Sequence, residues 1–284
     1  MKIKTSEVFE KCKWEKNEIV GEQINGNFGS FYLQNFKKGY KLNFECEKVY
    51  HIYTRANSQA DILFRENENY RFFLKKYKKF ISPIFKTLCY CLIPNHYHLL
   101  IIVKKQESIF QYQKGNEKKY KNNELEINSF IQQQIANLHI SYAKAFNRLY
   151  KRRGSLFQSK PKAKEISNTN YLLQVSRYIH RNPLKHGVVR HLKDWEFSSY
   201  LDYTNLRNGS IPYKELMISH FSSVQDFLEF TEMEFNEDEF EFLEKWVWDS
   251  EKTSEVFEKI KSEKNGIVGN QTNVNFGSWW QVRK

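Results

Sequence analysis

The chain predicts an α+β fold built on an antiparallel sheet with helices on one face. Three observations carry that expectation. Apolar and aromatic residues alternate within 44–56 and crowd together within 87–103. They recur at helical spacing in 65–81, 125–151 and 169–182. The two kinds of segment interleave as β, α, β, β, α, β, α, close to the order of a split βαβ unit.

Each element has its own warrant. Residues 44–56 alternate well enough for a strand. Residues 65–81 carry apolar side chains on one helical face and lysines on the other. Residues 87–103 are rich in β-branched and aromatic side chains and are broken by Pro94-Asn95, so they read as strand, turn, strand. Residues 104–122 are polar, with many Lys, Gln and Asn, and read as a loop. A long helix follows over 125–151, with Ile127, Phe130, Ile131, Ile135, Leu138, Tyr142, Ala145 and Phe146 on its apolar side. Lys151-Arg152-Arg153-Gly154 ends it, basic residues before a helix-stopping glycine. Residues 155–166 are extended and basic. A last core helix spans 169–182 and is stopped by Pro183 and Gly187.

Composition narrows the partner. Net charge is +12, and aromatic residues make up 16% of 284. Such a basic chain favours a polyanion, either nucleic acid or an anionic membrane surface. No stretch approaches the roughly 18 apolar residues of a membrane span. The N-terminal residues lack the apolar core of a signal peptide. Cys12, Cys46, Cys89 and Cys91 form neither a disulfide framework nor a zinc-ribbon spacing. The expectation is a cytoplasmic, reduced protein. Residues 213–249 hold eleven acids and two bases, a charge of −9, so the rest of the chain carries +21. The basic part is the expected nucleic-acid binder.

The ends repeat each other. Residues 4–30 and 252–278 are identical at 21 of 27 positions, at a constant offset of 248. Structural repeats recur in tandem to share a core, which two terminal copies do not. Either the copies pair with each other or a partner, or they are translated flanking DNA duplicated at the nucleotide level. Their polar, Gly- and Asn-rich composition favours the second.

The chemistry concentrates at Pro94-Asn95-His96-Tyr97-His98. Residues two apart on a strand share a face, so His96 and His98 project together while Tyr97 and Leu99 take the other face. Two converging imidazoles suit a divalent metal. The same pair also occurs on solvated strand faces. On the helix over 169–182, Tyr178 and Asn182 lie one turn apart on one face, with Arg177 and Arg181 beside them. Read alone, Tyr178 is an amphipathic-face tyrosine and Asn182 a helix cap before Pro183.

Four motifs in order change that reading: Pro94-Asn-His-Tyr-His98, Arg153-Gly-Ser-Leu-Phe-Gln158, Tyr178-Ile-His-Arg-Asn-Pro-Leu-Lys-His-Gly187 and Trp195-Glu-Phe-Ser-Ser-Tyr200. Together they resemble the REP-associated tyrosine transposases, a branch of the single-tyrosine HUH (His-hydrophobe-His) transposases, over roughly residues 44–203. Some forty N-terminal residues and the acidic and repeated C-terminal parts depart from the family. The resemblance implies a ferredoxin-like (RRM-like) HUH core. It implies His96 and His98 as ligands of Mg²⁺ or Mn²⁺, Asn182 as third ligand and Tyr178 as nucleophile. The expected organisation is an N-terminal extension with a repeat (1–43), the catalytic domain (44–203), an acidic, aromatic-rich helical region (204–250) and a flexible repeat segment (251–284).

The implied reaction is transesterification on single-stranded DNA at hairpins, through a 5′-phosphotyrosine and without ATP. Arg152, Arg153, Lys160, Lys162, Arg177, Arg181 and Lys185 are the expected phosphate contacts. Phe157 is a candidate for stacking on unpaired bases. No general base stands out, and the chain is expected as a monomer or homodimer without membrane contact. A replication nickase shares the chemistry but normally brings a helicase or a second tyrosine. A zinc hydrolase would want a third His or carboxylate in register, and no HExxH is present. The alternative of another class is a domesticated hairpin-specific DNA-binding protein without strand transfer.

Overall fold

The computed structural model describes residues 43–57, 62–114, 124–235 and 243. Both terminal repeats lie outside the described residues. Four strands form one sheet in the order β2-β3-β1-β4: β1 (Val49–Arg55), β2 (Phe85–Ile93), β3 (His96–Val103) and β4 (Lys162–Ile166). Every neighbouring pair is antiparallel. Helix α1 (Asn67–Phe80) connects β1 to β2, and α3 (Glu124–Leu149) lies between β3 and β4. This is the expected α+β class.

Strand register assigns every side chain to a face. Val49, His51, Tyr53 and Arg55 of β1 pair with Ile102, Leu100, His98 and His96 of β3. These share one face of the sheet. Tyr50, Ile52, Tyr97, Leu99, Ile101 and Val103 take the other, and it builds the main hydrophobic core with α1 and α3. Aromatic rings supply much of that core. Phe73 of α1 lies 5.1 Å from the Tyr97 ring, and Phe64 stacks on Tyr70 at 4.4 Å. Full burial of a side chain such as Phe73 is worth about 1.5–3 kcal/mol.

Two elements differ from the sequence expectation. Within 104–122, expected as a loop, α2 (Gln106–Lys114) forms. Ile109 and Gln113, four apart, are both buried, and the Tyr112 hydroxyl donates to the Lys79 carbonyl at 3.1 Å. Ile109 and Tyr112, whose ring lies 6.1 Å from that of Phe130, anchor it, and Gln and Lys are themselves good helix formers. The second difference is α4 (Thr169–Lys185), which runs through Pro183 instead of ending at it. Proline removes one N–H near the end of the helix, yet the His186 N–H still donates to the Asn182 carbonyl and Val188 N–H to the Pro183 carbonyl. The helix stops at Gly187, whose φ of 62° suits a residue without Cβ. Asn182 is therefore inside the helix and is not its cap.

Helix α4 lies on the β2 and β3 part of the face opposite α1 and α3, so the sheet is covered on both sides and not, as expected from the sequence, on one. Its N-cap is Asn168, whose side chain accepts from the Tyr171 N–H at 2.9 Å. The Trp195–Tyr200 segment closes the free edge of β2. Leu92 N–H donates to the Phe197 carbonyl, Ser199 N–H to the Tyr90 carbonyl, and the Trp195 indole to the Leu92 carbonyl. Covering an edge strand removes a template for unwanted pairing. A 3-10 turn (Leu192–Asp194) precedes this segment, and α5 (Tyr200–Tyr203) and α6 (Lys214–Ile218) follow.

The chain divides into two compact units, up to Val224 and from Gln225. The second begins within α7 (Val224–Glu232), where the Thr231 hydroxyl donates to the Phe227 carbonyl at 2.8 Å. No helix among the described residues is long and apolar enough to cross a membrane.

Candidate nucleotidyl-transfer site

The turn Pro94-Asn95 starts β3 at His96 and is held from outside. Its carbonyls accept from Ala56 N–H at 2.7 Å and from Leu63 and Phe64 N–H at 2.6 and 3.0 Å. That fixes the point at which the two histidines leave the turn. Both are buried, and their rings lie 5.0 Å apart, edge to face. Tyr97 between them points into the core, where its hydroxyl hydrogen-bonds His139 Nε2 of α3 at 2.6 Å.

Helix α4 brings the other candidates. The Tyr178 ring lies edge-on to His98 with centroids 5.5 Å apart. Asn182 Oδ1 is 2.8 Å from His96 Nε2. The Asn182 amide nitrogen donates back to the Tyr178 carbonyl at 3.4 Å, which turns the oxygen toward His96. His180 hydrogen-bonds Ser199 Oγ at 2.8 Å. The four residues singled out from sequence, His96, His98, Tyr178 and Asn182, are thus brought together from elements 86 residues apart.

Burial sets the protonation of the site. Desolvation lowers His96 from 6.5 to about 3, partly opposed by the hydrogen bond to Asn182. It lowers His98 well below its ordinary value, helped by the neighbouring imidazoles. Both rings are neutral near pH 7, and a neutral ring offers one lone pair. His96 faces an amide oxygen on each side, Asn95 Oδ1 at Nδ1 and Asn182 Oδ1 at Nε2, both at 2.8 Å. A neutral imidazole can donate to only one of them. With the proton on Nδ1, Nε2 and the Asn182 oxygen are both lone-pair atoms, 2.8 Å apart. Adjacent ligands of an octahedral ion with bonds near 2.05 Å stand about 2.9 Å apart. The 2.8 Å between His96 Nε2 and Asn182 Oδ1 is compatible with two adjacent ligands of a small divalent cation. Among the described residues, no group of three or more His, Cys, Asp or Glu side chains is placed to hold a metal.

The chain has been compared with known proteins. No protein-family model matches it, and no curated protein sequence does. Its structure is similar to that of a REP-associated tyrosine transposase bound to a REP hairpin, with a TM-score of 0.39 and 16% identity over 59% of this chain and 86% of that one.

The basic candidates are spread unevenly. Arg153, Lys162 and Lys185 are exposed, and Lys160 and Arg181 are half-buried. Arg152 is half-buried and its guanidinium donates to Asn147 Oδ1 at 2.8 Å. Arg177 is buried, at 3% exposure, and is not part of an open basic stripe. Phe157, the candidate for base stacking, is 1% exposed and stacks on His139 at 4.0 Å. The β1–β4 pairing explains this: Phe157 follows the chain back under α3 toward Ala56 before β4 begins.

Register places Lys162, which the sequence singled out, on the histidine face and adds further residues. Lys164 opposes His51 and Lys162 opposes Tyr53, so both lysines stand on the face of the histidine pair. Arg55 opposes His96 on that face and is exposed. His186, at the end of α4, lies with its ring 4.8 Å from that of His96. The alternation of 49–55 was visible in sequence, but only the pairing with β3 tells which of its faces meets the histidines.

Proposed function

We propose that this chain is a divalent-metal-dependent DNA strand transferase of the single-tyrosine type, cleaving and rejoining single-stranded DNA at hairpins. The observation that carries this reading is the convergence of Tyr178 with His96, His98 and Asn182 on one sheet face. The four sequence motifs agree with it, since the core motif residues meet at that face.

His96, His98 and Asn182 would hold Mg²⁺ or Mn²⁺. When bound, such an ion withdraws charge from the non-bridging phosphate oxygens and orients the phosphodiester. Tyr178 Oη attacks phosphorus, the bond from phosphorus to the 3′-oxygen breaks, and the departing oxygen takes up a proton as the phenol loses one. The products are a 5′-phosphotyrosine and a free 3′-hydroxyl, and a second 3′-hydroxyl reverses the step. Arg55, Lys162 and Lys164, on the same face, would meet the strand backbone. Tyr178 is 1% exposed, so a phosphodiester reaches its hydroxyl only after a local rearrangement around it.

The test uses purified protein, Mn²⁺ and hairpin oligonucleotides drawn from the DNA flanking its gene. A denaturation-resistant protein–DNA adduct is expected for the native chain and is expected to vanish in Tyr178→Phe and in His96→Ala. An adduct that survives Tyr178→Phe overturns the nucleophile assignment. Tight, salt-sensitive hairpin binding with no adduct for any hairpin replaces the reading with a DNA-binding protein that lacks strand transfer.

A further inference from the structure

His51 is fully buried on β1, the second-from-edge strand between β3 and β4. A buried imidazole is a poor choice for that position, because an apolar side chain would occupy it without the cost of desolvating two polar nitrogens. Its Nε2 lies 2.9 Å from Nδ1 of His98. The two residues are diagonal neighbours, since His51 opposes Leu100 and His98 opposes Tyr53. Their rings are nearly coplanar in orientation, 21° apart, with centroids at 5.1 Å. The Tyr53 ring packs against both, with centroids 5.1 Å from His51 and 6.1 Å from His98.

The same arrangement occurs at the neighbouring histidine. Asn95 stands behind Nδ1 of His96 just as His51 stands behind Nδ1 of His98. In both cases Nδ1 is the engaged nitrogen, and Nε2 of His96 meets Asn182. Ligand histidines are generally oriented in this way, by an acceptor on the nitrogen that does not bind.

We propose that His51 is a positioning residue. It accepts a hydrogen bond from His98 Nδ1–H and so fixes His98 in the tautomer whose Nε2 lone pair faces the cation site. The inference rests on the reading of His96, His98 and Asn182 as that site. A shift of the proton to His98 Nε2 would place N–H where the ion must go. His51 itself touches neither the ion nor the DNA.

Two measurements test it. The first is the two-bond ¹H–¹⁵N correlation spectrum of the histidine rings in the native, metal-free protein, assigned with His98→Ala. The expected pattern for His98 is the Nδ1–H tautomer, and an Nε2–H pattern overturns the proposal. The second is Mn²⁺ binding, read by electron paramagnetic resonance, for the native chain, His51→Phe and His51→Gln. The phenylalanine keeps the ring shape and removes the acceptor, whereas the glutamine can return an oxygen near the position of Nε2. Affinity is expected to fall about 10- to 100-fold in His51→Phe and to recover to within about threefold of native in His51→Gln. Native-like affinity in His51→Phe overturns the proposal. If the native chain takes up no Mn²⁺, the cation reading of the site fails, and the tautomer spectrum still decides the role of His51.

Discussion

Tyr97 is the sharpest test of how the sheet divides its labour. It sits between the two histidines in sequence, yet it faces the core, 1% exposed, with its hydroxyl 2.6 Å from His139 Nε2. Tyr97→Phe deletes one oxygen and leaves the ring against Phe73. Almost no volume is lost, so the cost is that of a buried hydrogen bond whose imidazole partner stays behind. That is about 1–3 kcal/mol. Replacing both partners, Tyr97→Phe with His139→Phe, removes the stranded group and should recover part of the loss, with a coupling energy of about 1–2 kcal/mol. Urea unfolding of the four chains measures it. Mn²⁺ affinity and adduct formation are expected to stay within about threefold of native, since the hydroxyl lies on the opposite face from Tyr178. Unchanged stability with a lost adduct would refute the reasoning, because it would make Tyr97 a participant in the chemistry.

Further outcomes follow from the same geometry. Asn182→Ala removes one of three converging donors and should weaken Mn²⁺ about tenfold or more without changing the circular dichroism spectrum. His139 is lowered from 6.5 to about 3 by burial. Its contribution is full above pH 6.5 and is lost as the pH falls toward 3, because the unfolded chain binds the extra proton in that window. Between pH 7 and pH 5 the native protein should therefore lose about 2 kcal/mol more than His139→Phe, measured by urea unfolding at both values. Lys164→Gln should weaken hairpin binding alike for different hairpins and lower the salt slope by about one.

Much of the fold was legible because the chain keeps its two periods apart. The apolar residues of 65–81 and 125–151 kept a helical period, and the crowded run 87–103 had only one break, so class and element order followed. The elements that escaped did so for reasons of tertiary contact. Helix α2 depends on the burial of Ile109 beneath a polar sequence. The passage of α4 through Pro183 depends on hydrogen bonds from residues beyond the proline. Neither has a local signature.

The site divides in the same way. Alternation in a strand and one turn of a helix put His96 beside His98 and Tyr178 beside Asn182, but the roles proposed for them came from the motif resemblance. His51 was not legible, because its place beside His98 depends on the register between β1 and β3, and a shift by one residue would have turned it into the core. The extension of α4 past Pro183 also changes the meaning of Asn182. A helix cap would be spent on its own backbone. An interior residue whose amide is oriented by the Tyr178 carbonyl can instead present its oxygen to His96. The proline that hid the helix end in the sequence therefore also hid the argument for the third donor.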